Sequence, residues 1–321
     1  MESLRHENSK NLFYLAPLRG VTDHIFRNTY ERYFAKFDYL LAPFITTVRG
    51  TTVNPSHLRD ISPDKNDSDR VIPQIIGNNA DEFLVLASAI ADLGYKSVNW
   101  NLGCPFPPVT RKKRGSGLLP YPELIELILE KVMKSIPLPL SIKVRIGLDD
   151  ENEIFRLIPV LNSFPLQEII IHPRTGAQMY SGEINHVVFQ ECSNLCSHPV
   201  VYNGDIVTLK DFQEKSSLFP TINRWMLGRG VIKNPFLLQS LSNRDFKGDP
   251  VIIRKFHDEI YRINSSILCG QAHILGRMKE LWIYLSESFS VNPKVLKKIL
   301  RSTSTSEYEK HVETLFAQLI I

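Results

Sequence analysis

Cysteine is scarce in this chain: Cys104, Cys192, Cys196 and Cys269 are the four in 321 residues. So few thiols, unevenly spaced, exclude a disulfide-stapled fold and point to a reducing compartment, the cytoplasm. No apolar run approaches ~20 residues, which excludes a membrane span. The polar, acid-containing start MESLRHENSK does not read as a signal peptide. Low-complexity tracts are missing, and so is any repeat beyond a strand–helix alternation. Charge of one sign is not in excess either: the net charge of +4 is too small to imply a nucleic-acid partner by itself. Its distribution says more. Residues 244–321 hold 12 Lys/Arg against 9 Asp/Glu, and Arg111, Lys112, Lys113 and Arg114 form an unbroken basic run. CSNLCSH (192–198) lacks the second half of a zinc motif, so no metal site is expected.

What is present is a series of short apolar runs, at 13–17, 39–44, 71–77, 97–103, 140–147, 168–176, 200–205 and 225–230. Helical patterns fill several gaps. NADEFLVLASAIADLG (79–94), stopped at Gly94, offers Asn79 or Asp81 as a cap, and PYPELIELILEKVMKS opens on prolines and ends on lysines. Strands alternating with helices imply parallel βαβ units, and eight of them fit a (β/α)8 TIM barrel, usually about 250 residues long. Beyond residue 244 the apolar residues fall at helical spacing in four segments. The expected α/β architecture is therefore a barrel over residues 1–243, followed by a small C-terminal helical bundle over 244–321.

Chemically unusual residues sit at the ends of the proposed strands, where a barrel gathers its active site. Pro17, Leu18 and Arg19 end the first, Gln74 lies in the third, and Asn101 and Cys104 end the fourth. Lys143 with Arg145, then His172 with Arg174, end the fifth and sixth. Asn203, Gly204 and Asp205, then Gly228, Arg229 and Gly230, end the last two. Glycine-bearing ends on strands seven and eight suit a phosphate, with Arg229 as a forked cationic donor. Flavin mononucleotide is the economical ligand. Lys143 in a barrel mouth calls for an anion or acceptor, such as a reduced flavin ring, or else a neighbouring carboxylate. Gln74 and Asn101 suit ring edges that carry both donors and acceptors. His172 reads equally as a ring contact or as a satisfied core histidine. Cys104 lies in a loop among Gly103 and three prolines. An ordinary thiol, with a pKa of ~8.5, is mostly protonated at neutral pH and can donate a proton, whereas neighbouring bases would make it a nucleophile.

Six motifs occur in the order found in tRNA-dihydrouridine synthases, and the chain resembles that family over residues 12–240. They are LAPLRGVTDHIFR (15–27), NWNLGCP with RGSGLL (99–119), IKVRIG (142–147), IHPRTG (171–176), YNGDI (202–206) and LGRG (227–230). ILGRMKELWIYL (274–285) looks like that family's helical tRNA-binding domain. The resemblance implies an FMN enzyme that reduces the C5–C6 bond of a uridine in tRNA with NADPH or NADH. Cys104 would protonate C5 from a mobile segment. Pro17 to Arg19, Gln74, Lys143, His172, Asn203 to Asp205, Gly228 and Arg229 would hold FMN. Asn101 and Arg174 would lie near the base, and Arg111 to Arg114 would contact RNA. The spacing of Pro107, Val109 and Arg111, together with the tail motif, most resembles the bacterial branch acting on position 16 of the D-loop. A monomer is expected. Leu18-Arg19, Asn99 and Pro173 depart from the family's usual Met-Glu, Asp and Gly or Ala, and Arg19 adds positive charge at the mouth. Two other readings stand beside this one: an FMN reductase of a small free substrate, and a non-catalytic RNA-binding flavoprotein.

Overall fold

The computed structural model describes residues 10–243, 246–289 and 292–319. The polar start over residues 1–9 and residue 244, where the second domain is expected to begin, lie outside the described residues.

The strands form a (β/α)8 barrel whose members all pair in parallel. In chain order the first is Leu12–Leu15; the second is Tyr39–Leu41, resumed at Ile45–Thr46; the third is Val71–Ile72, resumed at Gln74–Ile76. Val98–Leu102, Leu140–Gly147, Ile169–Thr175, Val200–Tyr202 and Arg224–Leu227 follow. The ring closes between the first strand and the last, from Leu12 against Arg224 to Leu15 against Leu227. Pro73 interrupts the third strand because it has no N–H to give the ladder, although its carbonyl still accepts the Asn99 N–H at 2.9 Å.

All eight predicted strands begin within one residue of where they are found, and the fifth, Leu140–Gly147, matches at both ends. The second is the least regular, with Ala42-Pro43-Phe44 dividing it. The last ends at Leu227, short of the predicted 230, because Arg229–Lys233 is already helical.

Side chains alternate across each strand, so every second residue points into the barrel. Tyr14, Ala16, Leu41, Ile72, Ile170, Val201 and Met226 pack there as one buried cluster. At its foot, Glu168 accepts from the Tyr14 hydroxyl at 2.8 Å and from Arg224 at 2.7 Å. Burial pushes the Glu168 carboxyl above its ordinary range, even against the opposing pull of Tyr14 and Arg224. Removing this acceptor strands two donors. Glu168→Ala is expected to cost about 1–3 kcal/mol in a urea melt, with the barrel otherwise intact.

By contact the chain divides into two units. One holds the residues up to Pro17, Phe37–Gly204 and Ser216–Leu227, and therefore every barrel strand. The other holds Leu18–Lys36, Asp205–Lys215 and everything from Gly228 on. The core of this second unit is aromatic. Phe256 of helix Pro250–Ile267 meets Phe26, Tyr30, Tyr33 and Phe34. The Tyr30 hydroxyl donates to the Pro235 carbonyl at 2.8 Å. Further along, Tyr308 is shared by His257 at 2.6 Å and the Trp282 indole N–H at 2.8 Å. Asp249 and Asn292 cap helices Pro250–Ile267 and Pro293–Arg301, each with proline in its first turn. No described helix is long and apolar enough to cross a membrane.

Candidate active site

Register assembles the polar sector of the barrel. Gln74 pairs with Asn99, Asn99 with Ser141, Asn101 with Lys143, and Arg145 with His172. These residues, on four neighbouring strands, thus share one face. Their side chains join into a relay. Asn101 Nδ2 donates to Gln74 Oε1 at 2.6 Å, Gln74 Nε2 to Asn99 Oδ1 at 2.7 Å, and Asn99 Nδ2 to Ser141 Oγ at 2.9 Å. Each amide fixes the orientation of the next.

Asn101 Oδ1 is the free end of that relay, and it accepts the backbone N–H of Gly103 at 3.0 Å and of Cys104 at 2.8 Å. The Cys104 carbonyl accepts both the N–H and the hydroxyl of Ser116, each at 3.1 Å. A short helix, Pro107–Thr110, and a 3-10 turn, Gly115–Leu118, fill the loop between. The cysteine segment is therefore braced on both sides. Gly115 makes this possible: its φ is +57°, and a Cβ there would lie 2.6 Å from the Cys104 carbonyl oxygen. Gly115→Ala is expected to cost about 1–3 kcal/mol in a urea melt, through left-handed backbone strain and this overlap.

Lys143 lies beside this loop and, among the described residues, makes no hydrogen bond or ion pair. Burial pulls its pKa down to about 7, Arg145 adds to the fall, and Cys104 opposes it. Such an ammonium suits an anionic or carbonyl-rich ligand. Arg145 is engaged otherwise. It donates to the carbonyls of Gly103 at 3.0 Å, Thr175 at 2.5 Å and Met179 at 2.5 Å, tying the cysteine loop to the loop after the sixth strand.

His172 continues the inward face of the sixth strand, the register shifts between it and Thr175, and both His172 and Arg174 are buried. Arg174 donates to the Gly182 carbonyl through Nε at 3.1 Å and Nη2 at 2.7 Å. Asn203 donates to the Met226 carbonyl at 2.9 Å, and Gly204 sits where a Cβ would press on Ile184 and the Tyr202 hydroxyl. The basic run divides. Arg111, Lys112 and Lys113 are exposed, with the Lys113 ammonium 4.1 Å from the centre of the Tyr121 ring. Arg114 turns to Asn78 at 3.2 Å and to Glu82 at 3.7 Å.

In the second unit, the Leu18 N–H donates to Thr22 Oγ1 at 2.7 Å, folding Leu18 and exposed Arg19 into a compact turn. Asp205 takes a positive φ of 27° and accepts from Arg229 at 3.1 Å. Gly228 precedes helix Arg229–Lys233, and Gly230 is pressed against the Ile206 carbonyl, where any Cβ would overlap. Lys294, Lys297, Lys298, Arg301 and His311 line a hollow of about 430 Å³ on this unit.

The structure thus brings Gln74, Asn101, Cys104 and Lys143 together in the strand unit, and Asp205 with Arg229 in the other. Sequence reasoning placed Arg145 at its strand end but gave no role to Asn99, Ser141 or Ser116. Asn99 and Ser141 could have been found by extending the two-residue alternation from Asn101 and Lys143 along their strands. Ser116 carries no such signal, because its bond to Cys104 spans a loop.

The family model for dihydrouridine synthase matches residues 14–314. A tRNA-dihydrouridine synthase B of Pasteurella multocida is 31% identical over 242 residues, covering 74% of this chain and 71% of that one. A tRNA-dihydrouridine(16) synthase of Haemophilus influenzae is 27% identical over 301 residues, covering 91% and 96%. Among solved structures, an old yellow enzyme homologue from Zymomonas mobilis superposes with a TM-score of 0.54 at 12% identity, over 76% of this chain and 91% of that one. A morphinone reductase gives 0.52 at 10% identity, over 74% and 88%. These last two likenesses are of fold.

Proposed function

The chain belongs to the dihydrouridine synthase family, and from that premise we propose that it reduces a uridine in the D-loop of tRNA to 5,6-dihydrouridine. The observation that carries this reading is the group of Cys104, Lys143, Asn101 and Gln74, a proton donor and an uncompensated ammonium beside ordered amides.

The donor set fits FMN. Lys143 offers charge to a ring edge that becomes electron-rich, and Gln74 offers an amide that the relay holds in one orientation. We assign His172, Asn203 and Gly204 to the same cofactor, with Pro17, Leu18 and Arg19 at its ring and Asp205, Gly228 and Arg229 at its phosphate. When bound, the flavin supplies the hydride for uracil C6 and takes its electrons from NADPH or NADH. Cys104 Sγ gives its proton to C5, so that the double bond gains one hydride and one proton. Asn101 positions that thiol by holding the Cys104 N–H, and Arg174 lies near the base.

The uridine must leave the RNA stack to reach the thiol, and phosphate contacts guide it there without reading sequence. We assign that guidance to Arg111, Lys112, Lys113 and Arg114 in the barrel domain, residues 1–243. The hollow of Lys294, Lys297, Lys298 and Arg301 serves the same end in the tRNA-binding domain, residues 244–321. The enzyme acts as a monomer in the cytoplasm, and position 16 is the first target to examine, since the relative named for that position aligns over 91% of this chain. The test is mass spectrometry of nucleosides, mapped by position, from tRNA of cells with and without the gene. Loss of one D-loop dihydrouridine establishes activity and target. Unchanged tRNA and unchanged ribosomal RNA would overturn the reading in favour of a small free substrate.

A further inference from the structure

The turn after the first strand is held by a helix about 250 positions further along the chain. In the turn itself, the N–H groups of Val21 and Thr22 donate to the Leu18 carbonyl at 3.0 and 2.9 Å, and buried Arg27 donates to the Thr22 carbonyl at 2.8 Å. Arg277, on helix Gln271–Leu285, donates to the Gly20 carbonyl and to the Asp23 carboxylate. Asp23 also caps helix His24–Tyr33 by accepting the Phe26 N–H at 3.1 Å. Glu280 lies three residues from Arg277, on the same helical face, and its carboxylate fills the space beside Gly20 that a Cβ would need. Gly20 has a φ of +85°, so the turn requires glycine for its backbone and for its neighbour alike.

Helix Gln271–Leu285 is itself firmly seated. Met278, Leu281, Trp282 and Leu285 are buried, and Lys279 donates to the Ser302 carbonyl at 2.6 Å. The helix thus presents a cation to a carbonyl and a carboxylate of the turn. Resting on the flavin assignment above, we propose that Arg277 is a positioning residue, with Glu280 as its companion, which sets the backbone of Leu18 and Arg19 for FMN. The tail motif that contains Arg277 then serves the cofactor as well as the RNA.

FMN binding to the full chain is titrated by quenching of flavin fluorescence, for the parent, Arg277→Ala, Arg277→Lys and Asp23→Asn. Asparagine keeps a capping side chain and removes the ion pair. Arg277→Ala and Asp23→Asn are expected to weaken FMN about tenfold, the scale of one lost charge-assisted hydrogen bond, and to shift the flavin's visible absorption bands. Arg277→Lys recovers part of the affinity, because a lysine serves one acceptor where the guanidinium fork serves two. Folded Arg277→Ala that binds FMN within about twofold of the parent, with an unchanged spectrum, overturns the proposal; if that variant does not fold, the same result for Asp23→Asn does so. A parent protein that takes up no FMN overturns both this inference and the flavin assignment, whereas variants matching an FMN-binding parent overturn the inference alone.

Discussion

Cys104→Ala is expected to bind FMN and tRNA as the parent does and to form dihydrouridine about 10²–10⁴-fold more slowly, the range of a lost general acid. The bonds that hold the segment make the experiment clean. Asn101 grips the Cys104 N–H and Ser116 its carbonyl, and neither bond involves the thiol. Truncation at Cβ thus removes the proton donor and leaves the loop in place. Cys104→Ser should fall between the two, since a hydroxyl fits the space but gives up its proton far less readily. Single-turnover reduction of tRNA by pre-reduced enzyme isolates the step. A Cys104→Ala rate equal to that of the parent would remove the thiol from the mechanism.

Lys143→Met should lower the same rate by about 10²–10³-fold, as loss of a preorganised charge does elsewhere, and it should also reveal itself through pH. In the flavin-free protein the Lys143 pKa is about 7, against an ordinary 10.5, chiefly because the side chain is buried. Between those values the unfolded chain carries a proton that the folded chain does not, so stability rises with pH across that window. Below pH 7 both states are protonated and the full cost of the buried charge is present. Lys143→Met, which carries no such charge, should therefore be more stable than the parent at pH 6, with an advantage that shrinks by pH 10. The neighbouring groups in this effect are Arg145, which deepens the fall, and Cys104, which opposes it. Urea melts of both proteins at the two pH values check it, and parallel pH profiles would show that Lys143 is not the titrating group.

The positions of the strands were legible because each is a short apolar run with turn residues at its edges, as Leu140–Gly147 illustrates. Prolines 43 and 73 lie inside two of those runs, where the sequence shows a proline but not whether the strand resumes beyond it. Gln74, Asn101, Cys104 and Lys143 could be picked out because polar residues near strand ends are chemically conspicuous. What links them could not be read. The relay through Asn99 to Ser141 depends on strand register, and the ties from Arg145 join carbonyls 30 to 42 residues away. Glu168 looked like the unremarkable start of a strand, yet it anchors Tyr14 and Arg224 from the first and last strands of the barrel. The basic run misled in a simpler way. Four like residues in a row read as one feature, but Arg114 has turned inward to Glu82 while its three neighbours face solvent.

With Cys104 as the proposed proton donor, its double clamp also bears on the activation entropy of the reaction. A donor already immobilised at its N–H and its carbonyl has little freedom left to lose as the transition state forms. The larger share of the ordering is then expected to fall on the nucleotide, which has to unstack to reach the thiol. Turnover among different RNAs is then expected to follow how readily the D-loop opens.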